Sequence, residues 1–104
     1  MSLPTEQHVE KWLMQLGESD EAMAQATATH SAAKENLKVQ RALATPSTGT
    51  SIERERAALT SAQYKLALDA LKEAEFQKTL LSLKRRQWER GIDVWRSLNA
   101  NMRH

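Results

Sequence analysis

Between Ile52 and Arg90 the sequence contains no proline and no glycine, and only Ile52, Thr60 and Thr79 are β-branched. Ala, Leu, Glu, Lys, Arg and Gln fill the rest, the residues that lose least on entering a helix. The run begins with a stop-and-start signal. Thr50 followed three residues later by Glu53 has the spacing of a capping box, in which each side chain satisfies a free backbone amide. Continued to Asn99, one helix of this kind would extend about 75 Å, more than a compact domain of this size can use. The run therefore predicts a coiled coil or an elongated hairpin.

A turn precedes it. Ala44 to Ser51 concentrates Pro46, Gly49 and five Ser/Thr residues, and short connections of this composition join antiparallel neighbours. Before the turn, Val9, Leu16, Met23, His30, Leu37 and Ala44 recur every seven residues. Trp12, Ser19, Ala26, Ala33 and Gln40 follow three residues after the first five, a heptad frame with small second positions. Pro4 fits a first helical turn, with Ser2 or Thr5 as cap. Gly17, followed by Glu18-Ser19-Asp20, offers a break or a kink, because Ser19 could cap a new start. The frame running through it favours a kinked continuous helix. The expected architecture is all-α, a long antiparallel helical hairpin. It is one domain over residues 1–104: helix about 4–44, loop 45–50, helix about 51–99.

After the turn, Ile52, Leu59 and Leu66 mark one apolar stripe, and Leu81, Trp88, Ile92 and Trp95 mark another whose phase has drifted from the first. Pairing the arms about the turn sets Leu37 against Leu59, His30 against Leu66, Leu16 against Leu80, and Val9 and Trp12 against Trp88 and Lys84. In that register the second helix overhangs, leaving Trp95, Leu98 and Met102 without a partner. Around Phe76, Leu80, Leu81 and Leu83 the apolar surface is broader than two helices cover, which predicts further helices from a second chain or the N-terminal segment.

Hydrophobic content is 40% but aromatics are only 5%, so a single-chain core is thin and self-association would help to bury it. Cysteine is absent, which excludes disulfides and thiol chemistry and suits a reducing, cytoplasmic setting. No segment reads as a signal peptide or a membrane span. Charge is uneven. Residues 1–50 carry four basic and six acidic side chains, whereas residues 84–104 carry six basic against Glu89 and Asp93. Such a basic end suits a nucleic acid or an acidic protein.

Enzyme chemistry finds little support. His8, His30 and His104 lack the spacing of metal ligands. Asp69 with Glu73 and Glu89 with Asp93 have oppositely charged helix neighbours, which makes them ordinary surface pairs. His30 reads as a polar seam residue that fixes register. No cofactor, metal or small-molecule substrate is expected. The expected function is a non-enzymatic helical interaction module, an adaptor or inhibitor of a larger protein machine that handles nucleic acid. Trp88, Ile92, Trp95, Leu98 and Met102 would meet the partner, and Lys84, Arg85, Arg86, Arg90, Arg96 and Arg103 would meet nucleic acid or acidic groups. Tryptophan beside arginine also suits single-stranded nucleic acid, so direct nucleic-acid binding is a second reading. A structural assembly subunit of a phage or secretion apparatus is a third, and a homo-oligomer is expected. The length and hairpin shape resemble the small secreted WXG100 hairpins, but the turn has no Trp-x-Gly and the tail no Tyr-x-x-x-acid signal.

Overall fold

The computed structural model describes residues 3–102. They form α1 (Glu6–Ala44), α2 (Ser51–Thr60) and α3 (Ala62–Met102), making the protein an all-α helical hairpin. Among the described residues no helix is long and apolar enough to cross a membrane. The chain packs as two compact units, Met1–Ala24 with Thr79–His104, and Gln25–Lys78.

The local signals work as the sequence predicts at both starts. Thr50 Oγ1 accepts from the Glu53 amide and the Thr50 amide donates to Glu53 Oε2, both at 3.2 Å, so the capping box is complete. Gly49 enters it at φ 108°, a left-handed conformation that favours glycine. At the N-terminus Thr5 is the cap of α1. The His8 amide donates to Thr5 Oγ1 at 3.3 Å, and the Thr5 amide donates to His8 Nδ1 at 3.1 Å, so an imidazole takes the place usually held by glutamate. Gly17 lies inside α1 without ending it. Ser19 caps nothing there: its hydroxyl donates back to the Leu16 carbonyl at 3.0 Å.

The expected single helix after the turn is divided. Ser61 adopts an extended conformation (φ −68°, ψ 146°) that closes α2. Its hydroxyl then accepts from the Tyr64 amide at 3.0 Å and so caps α3. Thr60 Oγ1 meanwhile bonds the Arg56 carbonyl at 2.7 Å. Two adjacent hydroxyl residues offer the backbone local partners that compete with the helix ladder, and here they end it without proline or glycine.

This break resets the apolar phase. Ile52 is 71% exposed and Leu66 70%, so the stripe drawn through Ile52, Leu59 and Leu66 is not the inner face. The inward positions of α3 are Tyr64, Ala67, Leu71, Ala74, Lys78, Leu81, Arg85, Trp88, Ile92 and Trp95, each buried or half-buried at unbroken 3-4 spacing. No drift occurs. The α1 frame needs no such revision: every member from Val9 to Ala44 is buried or half-buried.

The register differs from the expected one in each unit. In the unit holding the chain ends, Trp12 lies on Gly91, Ser19 on Arg85 and Met23 on Ser82, about two helical turns from the expected pairing of Trp12 with Lys84. In the other unit Leu66 lines a groove with Asn36 and Gln40 rather than facing His30. There α2 belongs to the turn. Arg54 Nε donates to the Pro46 carbonyl at 2.8 Å, and Arg41 pairs with Glu55 at 3.4 Å. The ten residues of α2 are thus spent in the connection, and α3 begins beside the end of α1.

A Cβ added to Gly17 would meet nothing within 4 Å. Gly17→Ala should therefore stabilise the chain by about 0.5–1 kcal/mol. Thr50→Ala should destabilise it by about 1 kcal/mol through loss of the cap. Chemical denaturation followed by circular dichroism measures both.

Candidate functional site

The unit formed by the chain ends carries the aromatic and basic residues singled out in the sequence. Its centre is a close approach of two helices. A Cβ built on Gly91 would lie 2.6, 2.7 and 2.9 Å from three adjacent carbons of the Trp12 six-membered ring. Near-equal distances to three neighbouring carbons place Gly91 over the ring face rather than at its edge. Glycine is less favourable than alanine inside a helix by about 1 kcal/mol. The indole seated in its place offsets that loss. His8, one turn before Trp12, stacks on it with ring centroids 5.6 Å apart and planes 25° from parallel.

Arg85 fixes the same unit from the other flank. It sits at an inward position of α3, with only 21% of its side chain exposed. Nη1 donates to the Leu16 carbonyl at 3.1 Å and to Ser19 Oγ at 2.6 Å, and Nη2 donates to Asp20 Oδ1 at 2.8 Å. A partly buried guanidinium is tolerated when its donors are satisfied. The small Ser19 side chain leaves room for it in the seam.

The expected overhang is therefore shortened, with Trp95 and Leu98 half-buried and Met102 still exposed. With Trp12 level with Gly91, the last described turns of α3 run beside the first turns of α1. Ile92 is 4% exposed, and Trp88, Trp95 and Leu98 are half-buried on the inward side, while Met102 is 82% exposed. Of the cations, Lys84, Arg86, Arg90 and Arg96 are exposed and Arg85 is engaged with α1. Arg103 lies outside the described residues. Leu80 and Leu83 remain exposed, so the N-terminal segment does not cover them.

A groove of about 440 Å³ opens beside the Trp12–Gly91 contact, with Pro4 and His8 on the α1 side and Gln87, Arg90 and Val94 on the α3 side. Sequence reasoning passed over His8, Trp12 and Gly91 as a group. Two signals were present: an aromatic i, i+4 pair, and a lone glycine in an otherwise glycine-free helical run. Among the described residues no three His, Asp or Glu side chains are placed to hold a metal ion. A scan of protein-family models finds no match, and searches of curated proteins and of solved structures find none either.

Gly91→Ala should lower stability by about 1–3 kcal/mol despite its better helix propensity, because the indole must move to admit the methyl group. Arg85→Ala should cost about 1–3 kcal/mol, and Arg86→Ala, on the exposed side, less than about 0.5 kcal/mol. Denaturation midpoints separate the three.

Proposed function

We propose that this chain is a non-enzymatic interaction module, an adaptor or inhibitor that docks on a larger protein machine through the unit formed by its two ends. One observation carries the reading. In that unit Val9 and Ile92 are the buried apolar residues among those described, while Leu13, Met14, Leu80, Leu83 and Val94 are exposed. A hairpin that encloses so little and presents so much is arranged for association. The exposed Lys84, Arg86, Arg90 and Arg96 give the same unit its sign and favour an acidic partner, including proteins that mimic or accompany nucleic acid. Self-association belongs to the proposal, with Leu80 and Leu83 on the outer side of α3 as its contact.

The positive charge does not favour a nucleic-acid track. Arg85 is committed to α1, and Glu89 and Asp93 fall among the remaining cations. Binding of the purified chain to single- and double-stranded DNA and RNA over a salt series tests this. The proposal expects no appreciable binding near physiological salt. Tight binding whose logarithm falls linearly with the logarithm of salt, by about one per phosphate contacted, would replace it with direct nucleic-acid binding. Light scattering tests the oligomer: the native chain should be dimeric or larger, and Leu80→Glu with Leu83→Glu should reduce it to a monomer without loss of helicity.

A further inference from the structure

The groove beside Trp12 has a chemical character that narrows the partner. Its α1 wall is Pro4 and the stacked His8–Trp12 pair, and its α3 wall is Gly91, Val94, Gln87 and Arg90. At about 100° per residue, the α3 flank that holds Gly91 also holds Lys84, Gln87 and Arg90. Glu89, Asp93 and Arg96 fall on the opposite flank, and Arg86, four residues before Arg90, lies on the outer face between the two. On α1 the groove side carries Lys11 next to His8 and, seven residues on, Glu18, whereas Glu6, Glu10 and Asp20 fall on the other side. The pairing of Asp20 with Arg85 fixes that assignment. The groove flanks thus carry Lys11, Lys84 and Arg90 against Glu18, whereas Glu6, Glu10, Asp20, Glu89 and Asp93 lie away from them. Arg90 forms no salt bridge among the described residues.

We propose that this groove is a docking site for an acidic peptide segment of a partner protein, one that carries an aromatic or leucine anchor. The inference rests on the interaction-module reading and supplies its partner chemistry. The apolar floor of Pro4, Trp12, Gly91 and Val94 takes the anchor. Arg90 pairs with a flanking carboxylate, and the Gln87 amide meets the peptide backbone. A single strand of nucleic acid fits less well. The contact with Gly91 and the stack with His8 leave the indole little face for a base, and one lining guanidinium is no backbone track. The volume lies in the range of sites that hold a few side chains.

Selection of short random peptides on the full-length chain, then titration of the best synthetic peptide, tests the proposal. The enriched peptides should be acidic with a Phe, Trp or Leu anchor. Arg90→Glu should weaken binding about tenfold or more, while Arg96→Glu, on the other flank, should leave it within about twofold. The Trp12 indole and Gly91 amide resonances should shift on binding. Enrichment of neutral or basic peptides, no enrichment, equal loss in both variants, or displacement of the peptide by a single-stranded oligothymidylate would overturn it. Capture of the native partner with the Arg90→Glu chain separates the two readings. A partner retained at full strength would remove the groove and leave the module, whereas no protein partner for either chain would remove both.

Discussion

The guanidinium of Arg85 holds the ends of the hairpin in one alignment. Its donors reach a carbonyl, a hydroxyl and a carboxylate within one short stretch of α1, those of Leu16, Ser19 and Asp20. Helix faces rich in alanine and serine can slide, because small side chains present few distinct holes. A partly buried cation cannot slide with them. A shift of one turn would strand its donors away from water, a loss of the order of 1–3 kcal/mol for each unsatisfied group. The polar residue thus contributes more to selecting a register than to net stability, as an isolated polar residue in a heptad seam is known to do. The Trp12–Gly91 contact enforces the same alignment by shape, since the indole fits only where α3 lacks a Cβ.

That alignment decides what is inside and what is outside. Had the arms paired as the turn position suggests, Trp95 and Leu98 would stand free. Two turns of slip bring Ile92 under cover and leave Leu80, Leu83 and Val94 on the surface with Arg90. The proposed partner surface therefore consists of residues that the tryptophans support from beneath. In the proposal Trp88 and Trp95 act through the hairpin, and the groove beside Trp12 meets the partner.

Much of the fold was legible because its causes are local. The Thr50–Glu53 capping box, the turn around Pro46 and Gly49, the Thr5 cap and the heptad frame from Val9 to Ala44 each depend on residues within a few positions of one another. The candidate site was less legible. Its cations and tryptophans could be read, but their partners sit on another helix. The stripe of Leu81, Trp88, Ile92 and Trp95 is legible as apolar spacing, but the seam before it runs through the charged Lys78 and small alanines, whereas the more apolar Ile52, Leu59 and Leu66 lie outside it. Ser61 was overlooked as a break because serine ends a helix only when its own hydroxyl finds a local amide, here that of Tyr64.

The amino-acid order by itself determined that this chain is helical, where its hairpin turns, and which face of α1 is inward, because propensity, capping and periodicity act over a few residues. Tertiary structure alone decided that α2 folds into the turn, that α3 is aligned by Arg85 and Gly91, and that a cation-flanked groove opens beside Trp12. Those outcomes depend on groups tens of positions apart, whose satisfaction and fit exist only once the two helices lie side by side.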